Sequence, residues 1–395
     1  MSPILQREKP GKSANRRCDL HYLTLRRNKF FCFLGGLVVL IVNFKQNGIP
    51  IPDHDDARRP PIAAAQAKEL VDEQQKIVAK EEQLNDPKDA RVTSGGRARE
   101  ISEIKKMAKE EQLNVIIFYP DDWRHDDLGE VSPILKTPFF TRLAKEGIRF
   151  TQNAVTTSIC WISRATLFTG QYVSKHGATK LFRPSFATGK AWKNTWPYRL
   201  QEAGYFVGHV GKWQYHQTGY TLGKLFDFSS HLEDGGFWYN INNKKIHIID
   251  RCKEEALRFL SERPDEKPFA LTVAFYPPKG AVDPNLATNE SRKFYEDKYI
   301  PEHPTYDALE QLPYFLQHNN TQARTRFIYR WDTPEKYQIG MKVYYSLISH
   351  IDSVCGQIVD ELKRQGIHNK TMIIVSADNG EFHSAHALSD KWYVI

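Results

Sequence analysis

The feature that most constrains the fold is Val115–Tyr119, VIIFY, a continuous apolar run closed by Pro120 and followed at once by Asp121-Asp122. Such a run predicts a strand covered on both faces, as in a parallel sheet. Phe206–Val210, Phe269–Phe275 and Met372–Val375 repeat the pattern. Helical stretches fall between them. Thr137–Lys145 is closed by Gly147, and Ile348, Ile351, Cys355, Ile358 and Leu362 trace one face of a helix that ends near Gly366. Strands alternating with helices predict an α/β fold with a mainly parallel sheet, whose ligand site lies at the carboxyl ends of the strands. With 395 residues and 41% hydrophobic content the chain can bury a sizeable core and is not disordered.

Those strand ends carry the chemistry. Val115–Tyr119 runs into Asp121 and Asp122, and Met372–Val375 runs into Asp378 and Asn379. Four oxygen-bearing side chains at one sheet edge form a site for a hard divalent cation such as calcium or magnesium, although Asp, Asn and Gly are also ordinary turn residues. Phe206–Val210 leads into Gly211-Lys212, so Lys212 falls at the same edge, and His386 and Lys391 follow Asp378 closely. Lys212, Lys391 and Arg164 around a metal would make a cationic pocket for a tetrahedral oxyanion ester.

Between these ends in sequence lies Thr156–Gly177, with Cys160 four residues before Arg164. Its Ser and Thr residues predict a polar turn passing into a short helix, Ser163–Phe168, that stops at Gly170. A thiol near a helix N-terminus, with a guanidinium close by, favours anionic chemistry at sulfur; a buried structural thiol is the alternative.

The first 29 residues hold eight basic side chains against Glu8 and Asp19 and supply most of the net charge of +8. The remainder is nearly balanced, which argues against a nucleic-acid partner. Phe30–Phe44 is an apolar run with basic flanks, short against the roughly 20 residues of a spanning helix, and reads as an uncleaved signal anchor. Residues 1–29 would then be a cytosolic tail, 45–112 a charged helical stalk or linker, and 113–395 a lumenal domain. In the stalk, Leu70, Ile77 and Leu84 recur at heptad spacing, compatible with a short coiled coil that would carry oligomerisation. Sequons at Asn289, Asn319 and Asn369 fit a lumenal location, and Cys252 could pair there with Cys355.

Taken together, the motifs resemble the sulfatases of the alkaline-phosphatase superfamily. DDWRHDDLG at Asp121–Gly129 looks like the family's first metal motif, and CWISRATLFTG at Cys160–Gly170 resembles its cysteine signature. GKW at Gly211–Trp213, SADNG at Ser376–Gly380 and HALSDKW after it look like later active-site segments. The resemblance implies a three-layer α/β fold with a mainly parallel sheet, and a smaller C-terminal subdomain beyond Ile395 that is missing here. It also implies hydrolysis of sulfate esters, including those of carbohydrates. Cys160 would be converted to formylglycine by the formylglycine-generating enzyme during secretion. Asp121, Asp122, Asp378 and Asn379 would hold calcium, Arg164 would support the formylglycine, and Lys212 and Lys391 would bind sulfate oxygens.

Three positions depart from the family pattern. Ile162 stands where proline or alanine is usual, Gln214 follows GKW in place of histidine, and Pro278-Lys279 replaces Pro-His. Lys279 is expected to contact sulfate as a cation, leaving His386 and His216 as candidates for acid catalysis. These departures keep two alternatives open: a phosphoryl or phosphonate ester hydrolase of the same fold, and a catalytically inactive lumenal binding protein. Arg324, Arg326, Tyr329 and Arg330, within Pro278–Arg330, are compatible with binding sulfated sugars and equally with an ordinary surface.

Overall fold

A computed structural model of the chain describes residues 40–42 and 112–391, apart from 152, 180–184, 188, 216–221, 233–235, 281 and 319–320. The basic tail, the stalk up to residue 111, His216 and Asn319 lie outside the described residues. The strands are β1 (Leu40–Val42), β2 (Asn114–Phe118), β3 (Ile148–Arg149), β4 (Phe206–Gly211), β5 (Phe228–His231), β6 (Trp238–Ile241), β7 (Lys244–His247), β8 (Phe269–Ala274) and β9 (Thr371–Val375). The principal helices are α1 (Pro138–Glu146), α2 (Cys160–Thr169), α3 (Ile248–Glu262), α4 (Gln322–Arg330) and α5 (Pro334–Arg364).

Among the described residues the main sheet has the order β3-β1-β9-β2-β8-β4-β5, with β6 and β7 forming a separate hairpin. β9, β2, β8, β4 and β5 are mutually parallel, and Ile116 of β2 sits in register with Leu271 of β8 and Ile373 of β9. Side chains alternate across β2. Ile116 and Phe118 join Phe259 of α3 and Ile348 and Ile351 of α5 in one core, while Ile117 and Tyr119 meet Leu167 of α2 on the other face. Both faces are therefore apolar, which is why the strand reads as an unbroken hydrophobic run. Helices on both sides of a central sheet make the three-layer α/β arrangement expected from the sequence.

Helix α5 is much longer than the face traced from Ile348. Its first half buries Tyr337, Met341, Tyr344 and Tyr345, and tyrosines with polar tips conceal that apolar stripe from a hydropathy pattern. Cys252 on α3 and Cys355 on α5 are both free and fully buried, so the expected disulfide is not formed. Each thiol is instead a small apolar filler in the α3–α5 packing.

The anchor expected at residues 30–44 meets a different placement at Leu40–Val42. These residues form β1, antiparallel to both β9 and β3. A segment hydrogen-bonded into this sheet cannot also cross a bilayer as a helix. Among the described residues no helix is long and apolar enough to span a membrane.

Candidate active site

Four neighbouring strands, β9, β2, β8 and β4, finish at one edge and deliver Asp378, Asp121, Lys279 and Lys212 there. Gly211 makes the last of these placements feasible. It has φ +96, and a Cβ there would stand 2.0 Å from the carbonyl oxygen of Ala274. Only glycine tolerates both conditions, so the chain can turn and let the Lys212 N–H reach that carbonyl at 2.8 Å.

Cys160 is the first residue of α2, which begins three residues earlier than predicted and ends at Gly170 with φ 62. Ile159 at the N-cap offers no side-chain cap, so the first-turn N–H groups leave a positive helix end beside the sulfur. The thiol is buried. Lys391 Nζ lies 3.0 Å from its Sγ and Lys279 Nζ 3.2 Å from it.

The acidic residues interlock with these cations. Lys212 pairs with Asp121 Oδ2, which Lys279 approaches at 3.4 Å, and Lys391 pairs with Asp122. Arg164, fully buried against the Tyr119 ring, holds Asp378 Oδ2 through Nε at 3.0 Å and Nη2 at 2.9 Å. Asp378 Oδ1 in turn accepts the Asp122 N–H at 3.2 Å, and Asn379 Nδ2 donates to Asp122 Oδ1.

Charges in so dry a site shift strongly. Burial opposes ionisation of Asp121, but Lys212, Lys279 and Lys391 outweigh it and hold the carboxyl well below its usual range. Asp122 is pushed up to about 6 by burial and by the charge on Asp121, against Lys391. Burial would lower the pKa of Lys391, yet Asp122 and Asp121 raise it well above the ordinary lysine value.

A divalent cation fits these residues. One ligand atom each from Asp121, Asp122 and Cys160 lies within 4.8 Å of the others. Asn379 Oδ1 is buried without a hydrogen-bond partner, and so is Asp121 Oδ1, which has the Lys391 ammonium 3.5 Å away. Buried oxygens left this way are costly unless something positive faces them.

A family model for sulfatases matches residues 113–393. The chain belongs to the sulfatase family. It is 24% identical over 306 residues to the ulvan-active sulfatase of Formosa agariphila, covering 72% of this chain and 54% of that protein. It is 26% identical over 278 residues to the human N-sulphoglucosamine sulphohydrolase, covering 68% and 50% respectively. The sulfatase chain thus spans about half the length of these curated relatives. In fold it is similar to the structure of BT4656 in complex with its substrate D-glucosamine-2-N,6-O-disulfate, with a TM-score of 0.56, 20% identity, and coverage of 71% of this chain and 68% of that one.

The structure brings together Cys160, Arg164, Lys212, Lys279, Lys391 and the four residues Asp121, Asp122, Asp378 and Asn379. His386 does not join them. The turn at Ser384–Ala387 directs its N–H to Thr305 Oγ1 at 3.0 Å and its ring towards His303 and Phe382, each with centroids 6.5 Å away. Arg164 is bonded to Asp378, so its direct work is to neutralise that carboxylate. Sequence reasoning missed Ser158, whose Oγ donates to the Lys391 carbonyl at 3.0 Å. It also missed Glu381 and Asp390, which brace the lysine from its own loop. A serine two residues before the cysteine and two acids in a polar loop carry no distinguishing pattern.

Proposed function

We propose that the chain hydrolyses sulfate esters of carbohydrates, using a formylglycine made from Cys160 as nucleophile and calcium as the cation. The observation that carries this reading is the pair of ammonium groups, Lys391 and Lys279, at 3.0 and 3.2 Å from Cys160 Sγ. A buried cation, Lys391, a half-buried one, Lys279, and an uncapped helix start around one side chain form a receptacle for a tetrahedral oxyanion. The glycan preference follows from the similarity to the ulvan-active sulfatase and the N-sulphoglucosamine sulphohydrolase.

A formylglycine at position 160 would supply an aldehyde hydrate, a nucleophile whose second hydroxyl offers a route for releasing sulfate. Calcium would be held by Asp121, Asp122, Asp378 and Asn379 and supplies charge that polarises sulfate oxygens. The remaining residues act directly. Lys279 and Lys391 meet sulfate oxygens, Lys212 holds Asp121 in place, and Arg164 fixes Asp378. Lys279 stands where the family pattern expects histidine. Burial disfavours its charge, but Asp121 and Asp122 raise its pKa, so it contributes charge to the reaction.

A secretory setting suits the exposed sequon residues Asn289 and Asn369 and conversion of Cys160 by the formylglycine-generating enzyme. Anchoring through residues 30–44 would require Leu40–Val42 to leave its place between β3 and β9. Carbonate extraction of membranes from expressing cells distinguishes the two uses: retention favours the anchor, and release favours the strand.

The function itself is tested by incubating the full chain with an aryl sulfate and with 6-O-sulfated glucosamine and measuring free sulfate. Release that Cys160→Ala abolishes supports the reading. Faster turnover of a phosphonate monoester transfers it to the phosphoryl alternative, and cation binding without any turnover indicates a binding protein.

A further inference from the structure

The loop Gly380–Lys391 delivers Lys391, and its backbone is unusual. His383, Ser384, His386, Ala387 and Asp390 all have positive φ. Non-glycine residues adopt this region at a cost and persist in it only where the surroundings over-determine them. Helix α4 supplies those surroundings. Arg326 pairs with Asp390, and Arg330 Nη1 lies 3.4 Å from Glu381 Oε1. The Ala323 carbonyl accepts the Ser389 N–H at 3.1 Å, and Trp331 Nε1, just past the helix end, donates to Ser389 Oγ at 3.0 Å.

The two carboxylates pass this grip on to the lysine. Glu381 Oε1 accepts from Ser389 Oγ and from the Asp390 N–H, each at 3.3 Å. Asp390 Oδ1 accepts the N–H of Lys391 itself at 2.9 Å. Arg326 and Arg330 are four residues apart, so one helix face presents both. Their partners bracket the segment whose terminal ammonium sits on Asp122 and 3.0 Å from Cys160 Sγ.

We infer that Arg326 and Arg330 are positioning residues, which act through Asp390 and Glu381 to aim Lys391 at the reacting group and are not ligands of the sulfated substrate. Arginines in a segment beside a sulfate site invite the opposite assignment. Here both guanidiniums are engaged by acids of the lysine loop, and Lys391 is only 4% exposed. The inference rests on reading the Cys160 site as that of a sulfatase.

The test uses the full chain as wild type, Arg326→Ala, Arg326→Lys, Asp390→Asn and the Arg326→Ala/Asp390→Asn double variant. Amine acetylation with peptide mapping reports Lys391 without needing activity. It is expected to be protected in wild type, labelled in Arg326→Ala and largely protected again in Arg326→Lys. In sulfate release, kcat is expected to fall about ten- to a hundredfold in Arg326→Ala with KM nearly unchanged, as for a misplaced reacting group. The double variant should be no worse than the single one. A rise in KM at constant kcat would make Arg326 a substrate ligand and overturn the inference. So would unchanged labelling of Lys391, or losses that merely follow Tm across every variant including Arg326→Lys. If wild type releases no sulfate, the sulfatase reading fails, and the labelling comparison still decides the positioning role.

Discussion

Lys279 places its ammonium nitrogen 3.2 Å from the sulfur of Cys160 and 3.4 Å from a carboxylate oxygen of Asp121. It thereby links Cys160 to the candidate cation site, at a position where the family pattern expects histidine. Removing one preorganised electrostatic donor of this kind costs about a hundredfold or more in rate. Lys279→Gln is therefore expected to lower kcat/KM by about that factor, with Lys279→Arg recovering part of it by restoring the charge. Steady-state sulfate release from an aryl sulfate provides the comparison, and equal activity in Lys279→Gln would remove Lys279 from the site.

Arg164 and Asp378 form a fully buried ion pair at 2.9 Å. Deleting one member leaves an uncompensated charge in a dry interior, a loss of roughly 3–5 kcal/mol. Arg164→Met should show it as a lowered urea midpoint in the metal-free protein. Arg164→Met/Asp378→Leu, which removes both charges, should recover much of the loss.

Much of this arrangement is legible in the sequence, for a physical reason. A strand buried on both faces must be continuously apolar, so Val115–Tyr119 and Met372–Val375 stand out, and the residues just past the ends of such parallel strands gather at one sheet edge. Asp121, Asp378 and Lys212 were located that way, and Cys160 by its place in a polar turn before a helix. The grip of Arg326 on Asp390 was not legible, because an ion pair between a helix and a distant irregular loop has no periodicity. The same loop misled the reading of His386: sequence proximity to Lys391 placed it in the site, whereas the left-handed turn at Ser384–Ala387 takes it to Thr305. Strand β1 escaped for a different reason, since an apolar run with basic flanks satisfies the rules for a membrane segment as well as those for a strand.

Asp352 supports α1 from α5. Its carboxyl accepts the N–H of Phe139 at 3.0 Å and of Phe140 at 2.7 Å, and burial pushes its pKa up to about 7 against those two bonds. The folded state therefore binds a proton that the unfolded chain has released above about pH 4. The stability that this proton contributes is complete below that pH and is lost as pH rises towards 7. Relative to Asp352→Asn, wild type should lose up to about 1.4 kcal/mol per pH unit across that window. Urea titrations of both proteins at several pH values would show it, and parallel curves would refute the assignment.

Calcium is expected to raise Tm by an amount that grows with its concentration, reaching about 2.7 kcal/mol of stabilisation at a hundredfold excess over Kd. Asp121→Asn and Asp378→Asn should abolish the shift without abolishing folding. A chelator should reverse it in wild type. A shift unchanged in both variants would place the cation elsewhere.

The most direct test is the mass of residue 160 in the protein isolated from a secretory host. Peptide mapping under denaturing conditions, with thiols alkylated, separates a cysteine side chain from an aldehyde. The expected result is formylglycine at position 160 despite Ile162, in the fraction that releases sulfate. An alkylated, unconverted Cys160 in protein that still hydrolyses sulfate esters would contradict the proposed chemistry.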